Sequence, residues 1–252
     1  MKKILLMLFT TFLINTSLFA NDYTVIRFGA DPNYAPFAYK DNTGTLVGFE
    51  IDIGNAICAH LNVRCQWVES DFDGMIPSLN AGKIDAILAS MTITAARQKV
   101  IDFSSEVFSS PTAMVLRPGT ELSRGMAVGY LQGSTQEVYA RQVLASQGLK
   151  VVAYADQEQV YADLLTGRLQ ASLQDAQQAQ SGFLRSPQGA GFVLGPMIES
   201  PLMPSKSGIG IAKGNHALKN LLDKGLAALH ADGTYARLQA QYFAGVNMFS
   251  GQ

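Results

Sequence analysis

The sequence predicts an α/β protein built as two similar lobes around a shared cleft. Three observations predict it. Strand-like and helix-like patterns alternate along the chain, which argues for largely parallel sheets flanked by helices. The stretch Ser78-Leu79-Asn80-Ala81-Gly82-Lys83-Ile84-Asp85-Ala86-Ile87-Leu88-Ala89-Ser90 resembles Asp163-Leu164-Leu165-Thr166-Gly167-Arg168-Leu169-Gln170-Ala171-Ser172-Leu173-Gln174-Asp175. Each copy reads as a helix, a glycine stop, a strand and a polar residue at the strand's C-terminal end. Ligands of open α/β sheets sit outside the carboxyl ends of strands, so Ser90 and Asp175, in one register, point to a common site.

The chain begins with a segment outside the fold. Lys2 and Lys3 precede an apolar run from Ile4 to Ile14, and small and polar residues follow to Ala20. This is the pattern of a secretory signal peptide cut between Ala20 and Asn21. The run is short for a membrane span, and no other stretch is long and apolar enough, so the mature chain is expected to be soluble. Removing the segment leaves 17 basic against 20 acidic side chains, a net charge of −3. No basic excess argues for nucleic acid or a membrane surface. In an exported chain the two cysteines, Cys58 and Cys65, are expected to pair, closing a loop of about eight residues worth roughly 2.5 kcal/mol in the chain-entropy model. A metal pair or a redox pair fits the spacing poorly.

The elements follow in order. A first strand ends at Phe28-Gly29-Ala30, and Asp31-Pro32-Asn33-Tyr34-Ala35-Pro36-Phe37 reads as a rigid loop. An amphipathic helix carries Ile53, Ile57 and Leu61 on one face, with Cys58 near its end. Cys65 opens the next strand, so the disulfide staples helix to sheet. Phe72 begins the following helix. Gly82 and Gly167 suit the left-handed residue after a helix. Strand Ile84 to Ala89 leads into Ser90-Met91-Thr92-Ile93-Thr94-Ala95-Ala96-Arg97. Thr94 is a good N-cap, which puts Arg97 in the first turn of a helix. A cation there opposes the helix dipole at about 0.3–1 kcal/mol, a cost that makes sense if an anion sits in front of both. Arg would hold a carboxylate with two parallel hydrogen bonds. The plainer alternative is a solvated surface arginine.

The second lobe is expected to start near Ser110. Val128 to Leu131 reads as a strand, followed by Gly133 and a helix start at which Ser134 and Glu137 form a capping box. That cap suffices by itself, and it also turns backbone N–H groups toward an anion. Asp175 either caps the helix that follows or offers an anion to a ligand's ammonium group. The chain returns near Ser207, where Ser207 to Ala212 reads as a strand. Its Gly208-x-Gly210 pair lacks the third glycine of a dinucleotide fingerprint. The tail from His216 to Phe243 reads as two helices broken at Asp232-Gly233 and packed on the first lobe. The expected division is residues 1–20 as signal, 21–110 with 207–252 as one lobe, and 111–206 as the other. His60, His216 and His230 lack partners at metal or triad spacing, and no hydrolase, phosphate-loop or zinc motif occurs, so neither metal nor cofactor is expected.

The loop from Asp31 to Phe37, Val47-Gly48-Phe49-Glu50-Ile51-Asp52-Ile53, Ile76-Pro77-Ser78-Leu79, Lys83-Ile84-Asp85-Ala86 and Thr92 to Arg97 resemble the polar amino-acid solute-binding proteins of bacterial ABC importers. Leu131-Gln132-Gly133-Ser134-Thr135-Gln136-Glu137, Gln174-Asp175 and Ala231-Asp232-Gly233-Thr234-Tyr235 extend the likeness over nearly the whole mature chain. It is nearest to the lysine/arginine/ornithine- and histidine-binding members, which also carry such a disulfide. The resemblance implies a two-lobe periplasmic binding-protein fold of the type II kind, joined by two crossover strands and closing like a hinge. It places a ligand's α-carboxylate on Arg97 with the N–H groups of Thr92 and Thr135. It places the α-ammonium on Asp175, the Ser90 carbonyl and the Thr92 hydroxyl. Side-chain selection falls to Asp31, Tyr34 and Phe72, with Ala89, Leu131, Ser134 and Gln136 lining the rest.

Ala89 stands where lysine/arginine/ornithine-binding relatives carry Ser, and Phe72 where histidine-preferring relatives carry Leu. Tyr34 and Phe72 suit a flat, weakly hydrated guanidinium. The expected function is therefore a monomeric periplasmic receptor that captures a cationic amino acid, arginine before lysine, ornithine or histidine, and delivers it to a membrane permease. The alternatives are an opine-like arginine conjugate as ligand, a dehydratase-like enzyme on the same scaffold with Asp31 and Asp175 as acid and base, and a sensor or adhesin role.

Overall fold

The structure is a computed structural model and describes residues 23–244 and 246–249. The signal peptide expected over residues 1–20 lies outside the described residues.

From the N-terminus, β1 (Val25–Ala30) leads into a small antiparallel sheet of β2 (Asn33–Tyr34), β3 (Ala38–Lys40) and β4 (Leu46–Val47). Then come α1 (Phe49–Leu61), β5 (Arg64–Glu69), α2 (Met75–Asn80), β6 (Ala86–Ile87), α3 (Ala95–Gln98) and β7 (Ile101–Ser109). The second lobe holds β8 (Thr112–Leu116), β9 (Ala127–Leu131), α4 (Thr135–Tyr139), β10 (Lys150–Tyr154), α5 (Gln157–Leu165), β11 (Ala171–Asp175), α6 (Ala176–Ser181) and β12 (Val193–Ile198). The chain ends with β13 (Lys206–Ala212), α7 (His216–Ala231) and α8 (Thr234–Tyr242).

Two five-stranded sheets result, ordered β5-β1-β6-β13-β7 and β10-β9-β11-β8-β12. The chain passes between them twice, from β7 to β8 and from β12 to β13. The expectation of largely parallel strands holds only for the β-α-β portions, where β1 pairs with β5 and β6, and β9 with β10 and β11. The remaining ladders in each sheet are antiparallel. The cause is the double passage: a chain that leaves along β7 and comes back along β13 lays those strands down in opposite directions. The loop after β1 also differs from expectation, since its Asn33–Tyr34 segment pairs with β3. The strand expected over Ile84 to Ala89 shortens to Ala86–Ile87, although Asp85 N–H and Leu88 N–H still donate to the β1 carbonyls of Arg27 and Gly29.

Apolar periodicity places the cores. Ile53, Ile57, Leu218, Leu222, Leu226 and Leu229 repeat at helical spacing and are buried against Ile26, Phe28 and Ile211 of the first sheet. The tail helices thus close over the first lobe, breaking at Asp232-Gly233 as the sequence suggests. The Cys58–Cys65 disulfide joins the end of α1 to β5, with Cα atoms 5.8 Å apart. Gly82 and Gly167 take left-handed φ values of 68° and 77° after their helices, so the two repeat copies turn alike. His60 makes an exposed hydrogen bond with Asp232 at 2.7 Å, and His230 packs, stacked on Tyr235 and tilted against Phe249.

Candidate functional site

The C-terminal ends of strands from both sheets face one cavity. The end of β1 and the segment after it supply Asp31 and Tyr34, the turn before α2 supplies Phe72, and the end of β6 supplies Ala89, Ser90 and Thr92. Arg97 comes from α3. Across the gap, β9 and the start of α4 supply Leu131, Ser134, Thr135 and Gln136, and β11 supplies Asp175. All twelve cleft residues named from the sequence therefore line a single cavity. Four more lining residues were not anticipated: Glu50, Gln157, Leu173 and Gln174. Two signals point to some of them. Glu50 shares its helix face with Ile53, Gly54 and Ile57, which marks it as inward. The repeat register that aligns Ser90 with Asp175 also aligns Ala89 with Gln174.

Arg97 is the cation of the cavity wall. Thr94 accepts a hydrogen bond from Arg97 N–H at 3.1 Å and fixes the first turn of α3. The guanidinium donates to the carbonyls of Thr92 (2.8 Å) and Gly133 (3.0 Å) and lies 5.4 Å from the centre of the Phe72 ring. Among the described residues no carboxylate forms a salt bridge with it. Loss of hydration pulls its pKa down to about 10. A half-buried guanidinium held only by neutral carbonyls retains its full charge for an anion.

The same cavity wall carries acids. Asp175 is at once an N-cap and a cavity residue: its Oδ1 accepts from Gln178 N–H at 2.8 Å and from the Ser110 hydroxyl at 2.7 Å. Burial raises its pKa to about 6. Asp31 is 3 % exposed; its Oδ1 accepts from Asn33 N–H at 3.0 Å, whereas its buried Oδ2 meets no donor. Desolvation, with smaller help from Asp156 and Asp71, raises Asp31 to about 6. An unpaired buried carboxylate oxygen calls for a donor or a cation.

Glu50 explains the backbone of Ser90. Its carboxylate accepts from Ser90 N–H at 2.6 Å and from the Ser90 hydroxyl at 3.2 Å. Ser90 sits in the left-handed region with φ 52°, and these bonds hold it there. Burial lifts Glu50 to about 8. The expected capping box at α4 forms with a shift. The Ser134 hydroxyl accepts from Glu137 N–H, but Glu137 reaches back to Gly133 N–H at 2.7 Å, because the left-handed Gly133 brings its own N–H into range.

The lobes touch directly around this cavity. Gln132 Nε2 donates to Asp73 at 2.6 Å, and Gln178 Nε2 donates to the carbonyl of Ala35 at 2.8 Å. Leu131 of the second lobe packs with Phe72, Met75 and Phe103 of the first.

This geometry can be set beside known proteins. The family described as bacterial extracellular solute-binding proteins, family 3, matches residues 26–245. The chain belongs to that family. This solute-binding protein is 41% identical over 255 residues to the lysine/arginine/ornithine-binding periplasmic protein of Escherichia coli, covering 96% of this chain and 97% of the other. It is 38% identical over 227 residues to the L-arginine-binding protein of Pseudomonas aeruginosa, covering 87% and 88%. Among solved structures, an ancestral arginine-binding protein bound to arginine superimposes with a TM-score of 0.81 at 33% identity, over 87% of this chain and 98% of that one. Among the described residues of this solute-binding protein no helix is long and apolar enough to cross a membrane, and no histidine, cysteine or carboxylate cluster is arranged to hold a metal ion.

Proposed function

We propose that this solute-binding protein is a periplasmic receptor for a cationic L-amino acid, arginine before lysine, ornithine or histidine. It hands the ligand to the membrane permease of an ABC importer. Two groups in one cavity carry this reading: the Arg97 guanidinium without a carboxylate partner and the buried Asp31 Oδ2 without a donor. A zwitterion with a positive tail complements both. Its α-carboxylate meets Arg97 and the N–H groups of Thr92 and Thr135; its α-ammonium meets Asp175, the Ser90 carbonyl and the Thr92 hydroxyl; its distal cation meets Asp31 between Tyr34 and Phe72. Ala89, Leu131, Ser134 and Gln136 fill the remaining wall. Names of the relatives, which bind arginine or lysine, arginine and ornithine, support the same ligand class.

The receptor acts as a monomer whose lobes divide at residues 110 and 207, and it binds and releases without bond making. Export through the segment ending at Ala20 fits the periplasmic relatives. The acids fit the role of cation partners: Asp31 Oδ2 is buried without a donor, and Asp175 lines the same cavity.

Calorimetry with arginine, lysine, ornithine, histidine and glutamine tests the reading on wild type and on Asp31→Asn. Removing one charge of a buried pair costs roughly 2–5 kcal/mol, about 30-fold or more in Kd. Asp31→Asn should lose that much for arginine and little for glutamine. Equal losses for both ligands contradict the role of Asp31; no heat with any cationic amino acid contradicts the reading as a whole.

A further inference from the structure

A chain of buried side-chain hydrogen bonds runs from the cavity wall of the second lobe to the first lobe, and the ligand set named above does not use it. Gln157 Nε2 donates to Gln174 Oε1 at 2.7 Å, Gln174 Nε2 donates to the Tyr161 hydroxyl at 2.7 Å, and Tyr161 donates to Gln178 Oε1 at 2.5 Å. Gln178 Nε2 then donates across the gap to the Ala35 carbonyl at 2.8 Å. Gln157, Gln174, Tyr161 and Gln178 are all 3 % exposed or less. Every link points the same way. Gln174 and Gln178 each receive with the oxygen and give with the nitrogen, so reversing one link would set two acceptors or two donors face to face; the Ser172 hydroxyl also donates to Gln174 Oε1 at 2.8 Å, and Gln174 Nε2 makes a longer, 3.4 Å bond to Gln178 Oε1.

The two ends of the chain have different neighbours. Gln157 and Gln174 line the cavity, whereas Ala35 adjoins Tyr34 on the opposite wall. The approach at Ala35 is tight: a Cβ on Gly182, at the end of α6, would lie 2.5 Å from that same carbonyl oxygen. Opening the lobes separates Gln178 from Ala35 and frees the last donor of the chain. Closing them gives that donor its acceptor in a dry contact, where an unmade hydrogen bond is costly.

We infer that Gln178 is a positioning residue that latches the closed lobes, and that Tyr161 ties this latch to the cavity-wall amides Gln157 and Gln174. The inference rests on the receptor reading above. Because the latch forms between protein groups, it holds any bound ligand to the same degree. It therefore sets residence time and leaves discrimination to Asp31, Tyr34 and Phe72.

The test is stopped-flow binding of L-arginine and L-lysine to the full-length mature protein. Gln178→Met should raise the dissociation rate at least fivefold for both ligands by the same factor, with association within twofold of wild type. Tyr161→Phe keeps the Gln178–Ala35 bond but removes the hydroxyl that orients it, and should raise dissociation about two- to threefold. Unchanged dissociation in Gln178→Met overturns the latch. So does a loss confined to one ligand, which would make Gln178 a specificity residue. Should Gln178→Met not fold, unchanged dissociation in Tyr161→Phe overturns the proposal by itself. A ligand-free arm separates this from the receptor reading. Gln132 and Asp73 meet side chain to side chain across the gap, so an Asp73→Cys, Gln132→Cys pair can be bridged by a short thiol-specific cross-linker only while the lobes are closed. Adding Gln178→Met should slow that cross-linking at least threefold, and an equal rate overturns the latch even if no cationic amino acid binds wild type.

Discussion

At the scale of single residues, charge decides the behaviour of the site. Three acids, Asp31, Glu50 and Asp175, share the cavity with one cation, Arg97. Burial raises all three acids, so in the ligand-free closed form they take up protons that the unfolded chain releases. A raised acid stabilises the fold below its free pKa and loses that contribution as pH climbs through its folded value. For Glu50 the window runs from 4.5 to about 8. Between pH 7 and 8.5 Glu50 still titrates, whereas Asp31 and Asp175 have already ionised at about 6 and His230 is held below 6.5. Ligand-free wild type should therefore lose thermal stability over that interval, and Glu50→Gln should hold a flat Tm. A parallel fall in both proteins, followed by scanning calorimetry, would remove Glu50 as the cause. Arg97 and Asp175 were legible as cavity residues, because each has a local signature: Arg97 lies in the first turn of a helix capped by Thr94, and Asp175 is itself an N-cap. Glu50 was less so, since its partner Ser90 lies 40 residues away and only the helix face hints at burial. The amide of Gln157 carries no charge or motif, so nothing set it apart from a solvated glutamine, and Gln174 is marked only by its place in the repeat beside Asp175.

At the scale of elements, backbone geometry carries the acids to their places. The helix α1 starts after Gly48, whose φ of 132° belongs to the region that excludes side chains. A Cβ there would lie 2.3 Å from the Phe37 carbonyl oxygen, in the turn between β2 and β3. Two residues later the same helix presents Glu50 to Ser90. Gly48→Ala should thus cost about 2–4 kcal/mol from backbone strain and overpacking together. It should also weaken ligand binding, because the shift displaces Glu50 and with it the wall at Ser90. Urea unfolding and calorimetry on the one variant would separate the two effects; a stable variant with weakened binding would place the strain in the site alone. Periodicity revealed α1, α7 and their apolar faces because burial of those faces is local in sequence. Strand direction was not legible in this way. Whether β13 runs with or against β7 depends on the chain's second passage between lobes, and no window of sequence encodes a return path 97 residues long between Ser109 and Lys206.

At the scale of the molecule, the closed arrangement and its charges oppose each other until a ligand is present. Arg97–Gly133, Gln132–Asp73 and Gln178–Ala35 all join the lobes, and each favours closure. Closure also withdraws Arg97, Asp31 and Asp175 from water, and none of them finds a charged partner among the described residues, so desolvation opposes it. In the proposed binding mode a cationic amino acid supplies an opposite charge for each group and tips the balance toward the closed form. Its effect on shape and on stability should then appear together. In small-angle scattering the ligand-free protein should be more extended than the closed structure, and its radius of gyration should shrink on addition of arginine. In thermal unfolding, arginine at a thousand times its Kd should add about 4 kcal/mol. Stabilisation without contraction would mean that the lobes stay together unliganded and that the cross-lobe hydrogen bonds outweigh the buried charges. Contraction without stabilisation is ruled out by linkage for any ligand that binds only the folded chain, so observing it would point to arginine also binding the unfolded state.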